Sequence, residues 1–151
     1  MRGLACNELT VRRLTLEKKK LFTPNQVLAC SFFGGPMAMI YALWKNFQML
    51  ERPRDMQHIL FWGSLFIVVL LLFSPFIPDW AEIVIPISYS FASRSIAQNH
   101  QMTKEAIKDS AEYEFQPISR VVAVSAVFFA VFVALTFVFV FALISADVIE
   151  P

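Results

Sequence analysis

From residue 121 to residue 146 the chain carries no charged side chain, and no other feature restricts its fold so severely. As a helix that run would be roughly 39 Å long, more than the roughly 30 Å hydrocarbon core of a bilayer. It is rich in phenylalanine and valine, which a bilayer tolerates in a helix because the backbone must satisfy its own hydrogen bonds there. The charged residues elsewhere gather in three blocks, 1–20, 45–58 and 94–120, and the sequence between the blocks is nearly uncharged. An apolar content of 57% lies above the usual range for soluble proteins and agrees with that pattern. The expected fold is therefore all-α: a polytopic helical membrane protein with a basic amino-terminal arm over 1–22 and a single membrane domain over 23–151. The apolar segments are 23–50, 58–78, 80–96 and 118–146, giving three full spans plus a broken first segment.

The first segment opens at Thr23-Pro24, where a side-chain oxygen can cap free amides and proline suits the first helical position. Gly34-Gly35-Pro36 then interrupts it, since proline removes a backbone bond and glycine lowers the cost of bending. Arg52-Pro53-Arg54-Asp55 is expected to end this element. The second segment has an entirely apolar centre from Leu65 to Phe73, and its closing turn ends on Trp80, a residue that favours the headgroup level. The third is the weakest, diluted by Glu82, Pro86, Ser88, Ser90, Ser93 and Ser95, with serines that suit helix contact better than lipid contact. A polar loop over 98–116 is expected to hold a short surface helix within 103–112. In the last segment Ala126, Ala130 and Ala134 repeat at small-xxx-small spacing, a pattern for close helix packing within the subunit or between copies, or ordinary composition.

Net charge is only +1, which gives no global basic field and no reason to expect nucleic acid as a partner. The arm holds six of the thirteen Lys/Arg (Arg2, Arg12, Arg13, Lys18, Lys19, Lys20) against Glu8 and Glu17, so it is expected on the cytoplasmic side. These charges separate the amino terminus from any apolar core, so no cleavable signal peptide is expected and the first segment would serve as an uncleaved signal. Alternating four full spans leaves Lys45, Arg52, Arg54, Arg94, Lys104, Lys108 and Arg120 on the opposite face, with no bias at all. If the first segment instead dips in and returns at Gly34-Gly35-Pro36, all thirteen gather on one face, as the positive-inside rule favours. Such a re-entrant segment requires the remaining helices to cover its broken backbone.

Few residues carry potential chemistry. Gly34, Gly35 and Pro36 could free backbone groups for an ion or small substrate, and Glu82 is the one carboxylate embedded in an expected span. Against that reading, a glycine-proline break also serves as a packed kink, and Glu82 lies within about a turn of the Trp80 interface. Lys18, Lys19 and Lys20 are candidates for anionic headgroups. Cys6 and Cys30 read as free thiols, and together with His58, His100 and Met102 they form no metal spacing. No catalytic residue, metal or cofactor is assigned.

The opening Phe22-Thr23-Pro24-Asn25-Gln26-Val27, the centre Phe32-Phe33-Gly34-Gly35-Pro36-Met37-Ala38 and Asn46 resemble a group of small bacterial integral membrane proteins. These share an aromatic-Ser/Thr-Pro-x-Gln opening and a Phe-Leu-Gly-Gly-Pro-Leu-Ala-like centre. Here Phe33 and Met37 replace the more usual leucines, and the similarity extends little beyond this segment. The resemblance implies the bacterial inner membrane and brings no activity with it. The expected role is an accessory or scaffold subunit whose partners are the bilayer, other membrane proteins or itself. An oligomeric transporter or channel component using the broken segment is the alternative, and a non-enzymatic role is expected in either case.

Overall fold

A computed structural model describes residues 18–145. The amino-terminal arm up to Glu17, with Cys6, and the tail acids Asp147 and Glu150 lie outside the described residues. Helix dominates. In chain order the elements are β1 (Lys19–Leu21), α1 (Pro24–Met49), α2 (Pro53–Phe73) with a short 3-10 turn at Ser74–Phe76, α3 (Ala81–His100), α4 (Lys104–Asp109), β2 (Tyr113–Phe115) and α5 (Ile118–Ser145). Three helical stretches, Pro24–Met49, Pro53–Phe76 and Ile118–Ser145, are long and apolar enough to cross a membrane.

Length alone misdescribes α1. Gly35 has φ 73° and ψ −172°, a conformation open almost only to glycine, and the helix breaks there. Pro36 then begins the second arm with its fixed φ and no amide to satisfy. The ends of α1 meet: the Phe22 amide donates to Asn46 Oδ1 at 2.8 Å, and Asn46 Nδ2 donates to the Phe22 carbonyl at 2.7 Å. In a straight helix those residues would stand roughly 36 Å apart. The segment is therefore a hairpin of two short helical arms folded at Gly35.

This hairpin is the centre of the molecule. α2, α3 and α5 each pack on it, and they touch one another far less. Its inward residues Val27, Cys30, Ala38, Ala42 and Leu43 are fully buried and join Phe22, Ala97 and Val121 in the core. Small side chains set the approach of each neighbour. Ser31 and Ser93 hydroxyls meet at 2.8 Å between the first arm and α3, while Ser88 and Ser95 of the same series face outward. On α2 only Gly63 is buried, and a Cβ there would fall 2.5 Å from Ile40 Cγ1.

Most of the remaining surface of α2 and α5 is apolar and exposed, including Val68, Leu72, Phe73, Val122, Phe129, Phe137, Val138 and Phe141. A surface of that kind would drive aggregation in water and is compatible with a membrane protein. The basic residues among those described sit at the other extreme of the polarity scale and at one end of the bundle. That end is where α1 begins and finishes, α2 starts, α3 finishes and α5 starts, while Asp79 and Glu82 occupy the opposite end.

Several expected boundaries move. α1 ends at Met49, just before Arg52-Pro53-Arg54-Asp55, but α2 starts ahead of residue 58: Pro53 is its first residue, and Asp55 lies in its first turn, where a carboxylate favours the helix amino end. α3 continues beyond residue 96 to His100, which lengthens it to 20 residues and roughly 30 Å. The all-α expectation also misses a small parallel ladder in which Lys19, Lys20 and Leu21 pair with Tyr113, Glu114 and Phe115. The ladder fastens the strand before α1 to the strand before α5.

Candidate functional site

The hairpin tip is where the sequence motif and the candidate chemistry meet. Gly34 lies against α5 so closely that an added Cβ would be 2.8 Å from Ser125 Cα and 3.1 Å from its carbonyl oxygen. Gly35 faces Phe132, and its positive φ makes the turn. Beyond the tip a cavity of about 210 Å³ opens between α2, α3 and α5, and its lining includes Pro36, Glu82, Pro86, Tyr89, Phe132 and Thr136. Of the four candidates, Pro36 and Glu82 thus share one cavity, whereas Gly34 and Gly35 do not line it and serve packing and turning.

The chemistry available in this cavity is modest. Pro86 has no amide, so the Glu82 carbonyl four residues earlier lacks its helical donor. The Thr136 and Ser74 hydroxyls donate to Phe132 and Leu71 carbonyls and keep lone pairs free. Glu82 itself is exposed, at the mouth rather than in the depth. A carboxylate, a freed carbonyl and hydroxyls in an otherwise apolar cavity suit a small cation or a hydrogen-bonding solute. Among the described residues no cluster of three or more His, Cys, Asp or Glu side chains is placed to hold a metal.

At the other end of the hairpin, hydrogen bonds clasp its two arms. Thr23 and Gln26 form a capping box: the Gln26 amide donates to Thr23 Oγ1 at 3.2 Å, and the Thr23 amide donates to Gln26 Oε1 at 2.9 Å. Gln26 Nε2 also donates to the Gln116 carbonyl at 2.8 Å, which ties α1 to the start of α5. Asn46 Nδ2 reaches Gln101 Oε1 at 2.7 Å as well as Phe22, and Gln101 Nε2 donates to the Leu43 carbonyl. Every distinctive residue of the opening motif therefore has a structural task in closing or bending the hairpin.

Two groups of sequence candidates are placed differently from their expected use. Ala126, Ala130 and Ala134 are all exposed, which leaves packing between copies or ordinary composition as their reading. The face of α5 turned to the hairpin instead carries Val121, Ser125, Phe128 and Phe132, because the contact is fixed by Gly34 against Ser125. Of the three headgroup lysines, Lys18 and Lys20 are exposed, but Lys19 is engaged with Glu51 at 2.7 Å and Glu112 at 3.0 Å. Those hydrogen bonds hold the Lys19 ammonium charged well above the ordinary lysine range, and the bond from Lys19 holds the Glu51 carboxyl below its usual value.

A polar pocket that sequence reading missed lies on the basic face beside the amino end of α1. It has a volume of about 410 Å³ and is lined by Thr23, Pro24 and Asn25 with Arg94, Gln98, Asn99, Thr103, Lys104 and Glu105. The residues come from the start of α1 and from the neighbouring ends of α3 and α4, two stretches far apart in sequence, so only the fold brings them together. Arg94, counted in the sequence only for its charge, belongs to this pocket.

A comparison with known protein families, with curated proteins and with solved structures found no match to this chain.

Proposed function

We propose that this chain is a polytopic protein of the bacterial inner membrane in which α1 re-enters the face it left, with the amino terminus cytoplasmic. Its role is that of an accessory or scaffold subunit without enzymatic activity. The pairing of the Phe22 backbone with Asn46 carries the topology: both ends of α1 sit with the Lys and Arg side chains, as the positive-inside rule favours. The broken backbone at Gly35 is buried among α2, α3 and α5, which meets the requirement that irregular backbone at membrane depth be covered by protein. The basic half of the bundle is solidly filled by Phe22, Val27, Cys30, Ala38 and Leu43, a packing that suits a structural component better than a conducting one. The resemblance of the opening motif to small bacterial membrane proteins supports the location.

Single cysteines at Gln48, Asp79 and Lys108 test the topology in intact cells. A membrane-impermeant thiol reagent is expected to reach Asp79→Cys and to spare the other two until the membrane is opened. Labelling of Gln48→Cys from outside would defeat the re-entrant reading. For the role, co-purification from native membranes is expected to retain a stoichiometric membrane partner.

The cavity shared by Pro36 and Glu82 favours a second reading, a transporter or channel component. Cation flux in proteoliposomes that Glu82→Gln abolishes would establish it over the scaffold reading.

A further inference from the structure

We propose that the pocket between the amino end of α1 and the carboxyl-terminal half of α3 binds a phosphate group, with Arg94 and Lys104 as its cationic partners. Four observations carry this. First, the pocket holds two cations against a single carboxylate, and among the described residues neither Arg94 nor Lys104 forms an ion pair. Second, Arg94 lines the pocket while only partly buried, and no acceptor among the described residues engages its Nε, so its charge is not neutralised from within. Third, Gln98, Asn99 and Asn25 add amide groups to the same wall, and a guanidinium fork matches phosphate oxygens in pairs. Fourth, the positive end of the first arm of α1 opens onto the pocket at Thr23-Pro24-Asn25, where an anion is favoured.

Arg94 lies six residues before the end of α3, roughly 9 Å along the helix from the basic face. A phospholipid headgroup would offer its phosphodiester to such a pocket. A soluble phosphate entering from the basic face presents the same oxygens, so the recognised chemistry is the phosphate itself. Glu105, on the exposed side of the pocket, is suited to accept from a hydroxyl or ammonium neighbouring that phosphate. The site is separate from Lys18 and Lys20 and does not depend on whether the protein acts as scaffold or transporter.

The full chain in mild detergent, stripped of lipid, provides the test through its thermal unfolding midpoint. It is titrated with phosphatidylglycerol, with diacylglycerol lacking phosphate, and with inorganic phosphate. Phosphatidylglycerol is expected to raise the midpoint and diacylglycerol to leave it unchanged. Arg94→Gln is expected to weaken the half-saturating concentration about tenfold, the loss of one charge-assisted hydrogen-bonded contact, and Lys104→Gln about threefold. Lys108→Gln, which removes the same charge from the same surface helix outside the pocket, is expected to change nothing. A response to inorganic phosphate with the same dependence on Arg94 assigns the site to soluble phosphate, and a response to phosphatidylglycerol alone assigns it to a headgroup. Should Arg94→Gln fail to fold, Lys104→Gln and Asn99→Asp, which places a carboxylate in the wall, carry the test. Equal responses of the wild type, Lys104→Gln and Lys108→Gln would overturn the proposal, because they would reduce binding to diffuse attraction.

Discussion

α1 and α5 are both apolar helices of similar length, yet they solve opposite problems. α5 is built from phenylalanine and valine, keeps only Val121 and Ser125 buried, and turns the rest of its surface outward. α1 contains serine, asparagine, glycine and proline at its decisive positions and is the most enclosed element of the chain. In lipid the hydrophobic effect does not separate inside from outside, so association rests on close packing and internal hydrogen bonds. The more polar helix is therefore the one in the middle.

This contrast predicts a graded response to substitution. The largest effect belongs to the tip. Gly34→Leu drives a side chain into the Ser125 backbone and is expected to leave no folded monomer, as read by size-exclusion chromatography in detergent. Gly35→Ala meets no such wall but must hold a positive φ, with an expected loss of about 1–3 kcal/mol in unfolding assays. Recovery of Gly34→Leu as a stable monomer would remove the hairpin from the centre of the fold.

Next comes the clasp. Asn46→Leu deprives the Phe22 amide and carbonyl and the Gln101 side chain of their partners at a buried site. The expected destabilisation is about 2–4 kcal/mol, because buried groups left unsatisfied cost more than the bonds themselves gain. Asn46→Asp, which keeps the acceptor and loses the donor, is expected to fall between wild type and Asn46→Leu.

On α5 the outward face should be indifferent to shape and intolerant of charge. Phe137→Leu is expected to change stability by less than about 0.5 kcal/mol, whereas Val131→Arg should cost about 2.5–3.5 kcal/mol in a membrane-insertion assay. A cost for Phe137→Leu comparable to that for Asn46→Leu would mean that this face is an interface rather than a lipid surface.

The smallest effect is expected at Lys19. Its bond to Glu51 lowers the Glu51 carboxyl, so its contribution is present above the ordinary carboxyl range and disappears as pH falls through the lowered value. Thermal melting between neutral and acid pH should show Glu51→Gln losing a shallow part of that dependence. Both groups are solvent-facing, so added salt should diminish the difference.

Much of this architecture was legible in the chain. The apolar runs announced the helices, and Gly34-Gly35-Pro36 marked the break in the first segment, which the charge count left open between a full span and a re-entrant turn. The boundary at Pro53 was misread because a proline after an arginine was taken as a terminator, although its position just before Asp55 and an apolar run also fits a helix start. Ala126, Ala130 and Ala134 left packing within the subunit, packing between copies and ordinary composition open, and their exposure speaks only against the first. Small-residue spacing states that one helix permits close approach and says nothing of which face its neighbour occupies. The deciding residues were Gly34, Gly63 and Ser125, each small on its own and repeated in no pattern. The polar pocket was out of reach altogether, since residues from α1, α3 and α4 acquire a common purpose only when the hairpin brings them together.

The glycine turn also bears on the order in which the chain can be completed. Gly34 and Gly35 are synthesised well before Ser125 and Phe132, which form part of the surface that covers them. Until α5 is made the tip lacks that cover, although α2 and α3 are already there for the rest of the hairpin. Release of a chain cut before α5, followed by its faster proteolysis than the full chain, would be the cellular trace of that delay.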